Sequence, residues 1–430
     1  MKPIRIGICT LLAFSVFAHG VVEPWSESVL EIGAAMLFLW WGFLFARGSL
    51  PRVRWNRLLW PIIAFWALAV AQYQLRITAL AFLTKIEIFK LSALALLFFL
   101  VVQGFETLGH WRGFAWFLLA LGFAVSVLGI LQHFTFNGKL YWFRELRYGG
   151  IPFGPYVNRN HFAGLIELIV PAGLSILLLR AEDRDRMSLL TVFTLVPIGA
   201  LFLSASRGGI VAFFLEVGLI VILGVLRGHG RSQIVAGAVI LLFAGGFVVW
   251  LGAGKAIDRF ESYRKLEVNE SRRAEMLRDS WRIFLDHPAM GIGLGTLEDV
   301  FPRYETLYDG TIVNHTHNDY VEALAETGVI GGIICACFLL IFFFTAWARI
   351  TRAQNSLDLA LHIGALSACC ALLAHSLVDF NLHIPSNAFL FLVQSALATS
   401  ATPAGGKSYP EGSYWKQTPK LHVRRATQTV

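Results

Sequence analysis

Charge is what this chain has least of. Only 15% of its 430 residues are Asp, Glu, Lys or Arg, against about 25% in a soluble globular protein. That shortage excludes a soluble enzyme. Together with 56% hydrophobic and 13% aromatic residues, it also excludes an intrinsically disordered chain, which is poor in both. Cysteine is scarce as well. Cys9, Cys335, Cys337, Cys369 and Cys370 all lie inside apolar stretches, so they read as small membrane-helix residues, and an odd count argues against a secreted disulfide scaffold. Cys335 and Cys337 lack the His or acidic neighbours that a metal site there would need. The alternation of apolar and polar residues that marks a membrane β-barrel is missing too. In its place are continuous apolar runs, each near the 20 or so residues that a spanning helix needs. The chain therefore reads as an all-α polytopic membrane protein.

Twelve runs qualify as spans: 4–22, 28–46, 58–73, 86–104, 113–132, 161–179, 188–204, 209–226, 233–252, 328–348, 358–378 and 386–400. The first has Lys2 and Arg5 before an apolar core, as a signal peptide would, but no Ala-x-Ala cleavage pattern follows, so it is expected to remain a helix. The fourth carries Glu87 and Lys90 three apart on one helical face, where they can pair. With the N-terminus inside, the short inner loops collect Arg47, Arg52, Arg54, Arg57, Arg112, Arg180, Arg184, Arg186, Arg227, Arg231, Arg349 and Arg352, while the short outer loops are nearly uncharged. This asymmetry predicts cytoplasmic termini. It also accounts for the net charge of +8 without a nucleic-acid partner. The expected organisation is a membrane domain over 1–252, an outward (periplasmic) loop domain over 253–327, a second membrane portion over 328–400, and a cytoplasmic disordered tail over 401–430. Within the outer loop, Ser271 to Asp286 reads as a helix with Ser271 as cap, an apolar stripe of Leu277, Trp281, Phe284 and Leu285, and a stop at His287-Pro288.

The polar clusters fall on the outward side. Asn158-Arg159-Asn160-His161 opens the sixth span, where free backbone N–H groups can attract an anion or a helix cap alone can account for the residues; Asn160, Gly164, Glu167 and Pro171 then recur down one face. Ser206-Arg207-Gly208-Gly209 forms an outward hairpin whose glycines suggest close approach by something bulky. Arg272-Arg273 stand in the first turn of the loop helix, where a cation opposes the helix dipole. His315, His317, Asn318 and Asp319 precede the tenth span; no third His or Cys is near them in sequence, so a general base is a better use for one of these imidazoles than a metal site. His375, Asp379, Asn381 and His383 follow the eleventh span, with His375 and Asp379 spaced as a hydrogen-bonded pair.

His317-Asn318, nine further residues and Gly328-Val329-Ile330-Gly331 resemble the signature of the O-antigen ligases. Arg273, Trp281 and His287-Pro288-x-x-Gly291-x-Gly293-x-Gly295 are similar to the loop helix of the O-antigen ligase and polymerase superfamily, as are Ser206-Arg207-Gly208 and Asn158-x-Asn160-x-Phe162-Ala163 to its recurring patches. The specific resemblance covers about 150–335; Arg272 departs from it, since a small residue is more usual there. The resemblance implies a membrane glycosyltransferase of the GT-C-like class. It would move a glycan from undecaprenyl diphosphate to the lipid A core at the periplasmic face of the inner membrane, without metal or cofactor. It implies His317 as the base, Arg207 and Arg273 as the diphosphate clamp, and Asn158, Asn160, His161, Arg272, His315 and Asn318 as substrate-binding residues. A polymerase of lipid-linked repeats and a protein O-oligosaccharyltransferase remain alternatives, as do a metal-dependent transferase using Asp299 or Glu305 and, in a different class, a transporter or flippase.

Overall fold

The computed structural model describes residues 1–50, 52–146, 152–228, 270–308 and 312–402, with a few isolated positions between. A helix occupies each of the eleven expected spans that fall there: α1 (Lys2–Phe17), α2 (Pro24–Ala46), α3 (Leu59–Gln74), α4 (Ala81–Gly104), α5 (Leu108–Phe134), α6 (Arg159–Leu178), α7 (Arg184–Leu203) and α8 (Arg207–Leu226), then, beyond the loop elements α9 (Glu270–Asp286) and α10 (Leu297–Val300), α11 (Asp319–Arg352), α12 (Ser356–His375) and α13 (Pro385–Thr399). The ninth expected span, 233–252, and the tail beyond Thr402 lie outside the described residues. Eight of the helices are long and apolar enough to cross a membrane. The other three, α1, α3 and α13, have 16, 16 and 15 residues. Among the described residues there is no strand, only two isolated bridges.

Side-chain caps start three of the helices that frame one end of the bundle. Asn158 accepts from Asn160 N, Ser206 from Gly209 N, and Asn318 from both Tyr320 N and Val321 N, each satisfying an N–H that the helix leaves open. α6 is the centre of the bundle, with all but two of its residues buried. Small residues let its neighbours come close, which is how helices associate where lipid removes the hydrophobic drive. The anticipated stripe is real. Asn160, Gly164, Glu167 and Pro171 face, in order, Asp379, Asn381, His375 and Gly364. Lys90 pairs with Glu87 at 2.6 Å, as expected, and with Glu27 of α2 at 3.3 Å.

Polar contacts separate the two ends of the bundle. At one end, His19 meets the Pro155 carbonyl, Ser386 N donates to Gly20, and Ala79 N donates to Ile292. At the other, Arg54 holds the Val102 and Phe105 carbonyls, Arg112 pairs with Glu182, and Arg349 donates to the Thr399 carbonyl.

The described residues between 270 and 327 pack on the first end around their own small core of Met276, Ile283, Ile292, Leu297, Val300, Phe301, Val313 and Ala325. α9 begins at Glu270, so Ser271 lies within it rather than capping it. Its buried residues include Met276, Asp279, Ser280 and Ile283, whereas Leu277, Trp281 and Leu285 of the expected stripe are exposed. The stripe had the right period but the wrong face, because Asp279 is drawn inward by Thr306, which donates to it from N and Oγ1, both at 2.9 Å.

α11 starts nine residues before the expected span and kinks at Gly328 (φ 64°, ψ −164°). The kink exists to receive the Pro288–Gly293 turn. Val329 N donates to the Pro288 carbonyl at 2.8 Å, and Ile292 N to the Ala325 carbonyl at 3.0 Å. A Cβ on Gly328 would lie 2.5 Å from the Ala289 backbone, and one on Gly291 2.2 Å from that of Glu326. Two motifs whose glycines, Gly291 and Gly328, are 37 residues apart in sequence are therefore the two halves of one backbone contact.

Candidate active site

The site is built around the turn between α12 and α13, residues 376–384. Asp379 is fully buried at its centre. Its Oδ2 accepts from Asn160 Nδ2 at 2.6 Å, and its Oδ1 accepts from Phe380 N at 2.9 Å. Oδ1 also faces His317 Nδ1 at 3.4 Å and His161 Nε2 at 3.8 Å. Burial alone would raise this carboxyl; the two imidazoles override it and hold Asp379 well below the usual carboxylate range. Its anionic charge is therefore fixed against two histidines.

His317 reaches this position through strain. Its φ is 54°, a left-handed value that costs a residue with a Cβ about 1–3 kcal/mol unless its surroundings enforce it. They do. On one side, Thr316 N and Oγ1 donate to Glu322 Oε2 at 2.9 and 3.1 Å. On the other, Asn318 caps α11 and donates from Nδ2 to the Leu377 carbonyl at 2.9 Å.

Phe380 stands among three histidines at this end of the bundle. Its ring meets those of His161, His317 and His315 at centroid distances of 4.7, 5.0 and 4.3 Å. His315, Asp319, Glu322 and His383 form a second linked group beside it. Behind the turn, His375 Nδ1 meets Glu167 Oε1 at 2.8 Å. The spacing of His375 and Asp379 suggested that they bond each other; instead each turns to α6, one to Glu167 and the other to Asn160.

One arginine touches the same turn, and a second opens the helix packed beside His375. Arg273 Nη1 donates to the Val378 carbonyl, next to Asp379, at 3.3 Å. Arg207 is the exposed first residue of α8. The bulky group anticipated beside its glycines is the His375 ring, 2.4 Å from where a Cβ on Gly208 would sit. Arg272 points the other way: it is buried, pairs with Glu305 and donates to the Leu307 carbonyl. Glu305, named above as a carboxylate for a metal-dependent transferase, is committed to this pair.

The structure thus gathers His317, His161 and Asn160 around Asp379, with Arg273 at its margin. Asn158 and Asn318 act as helix caps, and His315 is drawn to Glu322. The sequence gives no sign of Glu322, and its spacing points Asp379 to the wrong partner, His375. No motif flags Glu322; a carboxylate one turn inside a helix looks like a solvated face until the loop closes over it.

These features define a multi-pass helical membrane protein with a buried carboxylate–histidine site at one end of its bundle. Residues 190–336 match the model of a family described as O-antigen ligase, so the resemblance read from the motifs holds over that stretch. The chain is also similar to the teichuronic acid biosynthesis protein TuaE of Bacillus subtilis (strain 168), at 23% identity over 305 residues. That alignment takes in 68% of this chain and 59% of the relative's length.

Proposed function

We propose that the chain is a membrane glycosyltransferase. It moves a glycan from undecaprenyl diphosphate to an acceptor hydroxyl at the outward face of the cytoplasmic membrane, and its first reading is an O-antigen ligase acting on the lipid A core. The observation that carries this is the meeting of His317, Asp379 and Arg273 at one end of the bundle. The arginines Arg54, Arg112, Arg227 and Arg349 lie at the other end, which supports a cytoplasmic orientation for that side.

In this reading the acceptor oxygen attacks the anomeric carbon. The bond from that carbon to the diphosphate oxygen breaks, and undecaprenyl diphosphate departs with the electron pair. His317 takes the acceptor proton on Nε2, while Asp379 faces Nδ1 and stabilises the imidazolium, a contribution of about 10²–10⁴-fold for such a base. Arg207 and Arg273 neutralise the charge that develops on the diphosphate; a charge-assisted hydrogen bond is worth about 1.5–3 kcal/mol. An in-line displacement inverts the anomeric carbon. Asn160 and His161 act with Asp379, Asn158, Asn318 and His315 line or support the mouth, and Arg272 holds the loop segment through Glu305.

The relative named for teichuronic acid biosynthesis favours a second reading, a polymerase that adds one lipid-linked repeat to another. The test is transfer by the purified chain from a defined undecaprenyl-diphosphate glycan, offered lipid A core and lipid-linked acceptors separately. Product on the core supports the ligase, and lengthened lipid-linked product supports the polymerase. No transfer to either, by folded protein, would overturn both.

A further inference from the structure

The fold completes a ligand set for which the sequence offers only one end. We propose that His315, Glu322 and His383 bind a divalent transition-metal ion of the zinc class at the outward mouth of the bundle. Their three ligand atoms lie within 4.8 Å of one another. His315 Nδ1 is 2.6 Å, and His383 Nε2 3.3 Å, from Glu322 Oε1. Tetrahedral ligands with bonds of about 2.0–2.2 Å stand roughly 3.3 Å apart, so only small side-chain movements are needed. Two imidazole nitrogens and one carboxylate are a set that zinc accepts with a further position open, whereas calcium and magnesium prefer oxygen throughout.

The surroundings are those of a built site. Asp319 Oδ1 meets His383 Nδ1 at 2.7 Å, which fixes the ring and leaves Nε2 facing Glu322. This is the carboxylate–histidine support that orients metal-bound imidazoles. Asp319 is itself held, its Oδ2 accepting from Leu382 N at 3.1 Å. Glu322 Oε2 is occupied by Thr316, so Oε1 is the oxygen offered. The side chains of His315 and His383 are 30% and 28% exposed, which leaves a way in, while Glu322 is buried. The ligands come from the segment before α11, from α11 and from the turn before α13, so the ion would tie together three separate pieces of chain. This assignment does not depend on the transfer reading, and its test reads the metal alone.

The full chain, carrying a tag without histidine, would be stripped with a chelator in lipid nanodiscs, reloaded with Zn²⁺ and dialysed. Elemental analysis should find one zinc per chain in the wild type and at least about tenfold less in His315→Ala and His383→Ala. Cobalt should give the visible absorption of a tetrahedral site, and the same variants should lose it. Both histidines are half-buried, so monodisperse variants are attainable where Glu322→Gln risks misfolding. His133→Ala, on α5, should retain the metal. Equal zinc in wild type and variants, or none in either, would leave the three side chains as a hydrogen-bonded triad and overturn the proposal.

Discussion

Asp379→Asn removes one charge and almost no volume, which isolates what the carboxylate does for His317. At 3.4 Å, a carboxylate and an imidazolium attract by about 5 kcal/mol at an effective dielectric of about 20. Not all of that is lost, because water and the neighbouring His161 readjust. A loss of about 3–4 kcal/mol from the protonated state of His317 gives a fall of roughly 10²–10³ in the rate of the chemical step. The amide also has one acceptor where the carboxylate has two. Oδ2 accepts from Asn160 and Oδ1 from Phe380 N, so one of these donors loses its partner, at about 1–3 kcal/mol of stability. Single-turnover transfer from a lipid-linked donor, run beside thermal unfolding, separates the two effects. The expected result is a large loss of turnover with donor binding nearly intact. Because Asp379 is held well below the usual carboxylate range, its contribution is complete above about pH 4 and fades only as pH falls through its depressed folded value. The wild-type pH profile near neutrality therefore belongs to other groups. A variant within threefold of wild-type turnover, tested where His317→Ala is dead, would refute the coupling of Asp379 to His317.

The two adjacent arginines should separate by phenotype. Arg272→Ala strands buried Glu305 and should cost about 3–5 kcal/mol of stability, whereas Arg273→Lys should leave the melting temperature unchanged and remove most transfer, since lysine lacks the planar fork; an unstable Arg273→Lys and a silent Arg272→Ala would reverse the assignment. Tyr308→Cys, at a position 73% exposed on the segment over the first end, should react in intact cells with a thiol reagent that cannot cross the cytoplasmic membrane, and labelling only after permeabilising that membrane would invert the topology. In chelated, metal-free protein the melting temperature should fall as pH rises from about 6.5 towards 10. Burial would lower His383, but Glu322 and then Asp319 hold it up at about 10, so its stabilisation is complete below the unfolded value and is lost through the folded one; His383→Gln should flatten that slope.

The helices were legible because each carries its own evidence: an apolar run of membrane length and a cap. The site was legible only where its chemistry is local. His317, Asn318 and the two glycine motifs stand in recognisable spacing, yet nothing in the spacing says that Gly291 meets the Glu326 backbone and Gly328 that of Ala289, since that contact follows from the turn over α3 and α4. Gln72 of α3 fixes it, donating to the Met290 and Glu326 carbonyls at 2.6 and 2.7 Å. The partners of Asp379, and Glu322 altogether, were beyond reach for the same reason. Their partners lie on α6, on the segment before α11 and in the turn before α13, and a carboxylate's burial is set by what folds over it. The face of α9 failed differently. Period alone cannot say which of two faces is buried when a polar residue, Asp279, has partners inside.

A polar group inside a membrane bundle is costly unless another answers it, and here the answering pairs also align the helices. Glu167 lies two turns into α6, and its bond to His375 fastens α12 to α6. Gly208 lets α8 close on the same ring, so three helices are locked beneath the 376–384 turn. Asn160 then fixes Asp379 from α6, and Asn318 fixes Leu377 from α11. A residue in a left-handed conformation, as His317 is, persists only where its neighbours determine it on both sides. Those neighbours are rigid because the buried pairs below them are. The depth of the Glu167–His375 pair and the strain at His317 are therefore two parts of one arrangement. Loosening the pair should move His317 relative to Asp379 even though neither residue of the pair touches it.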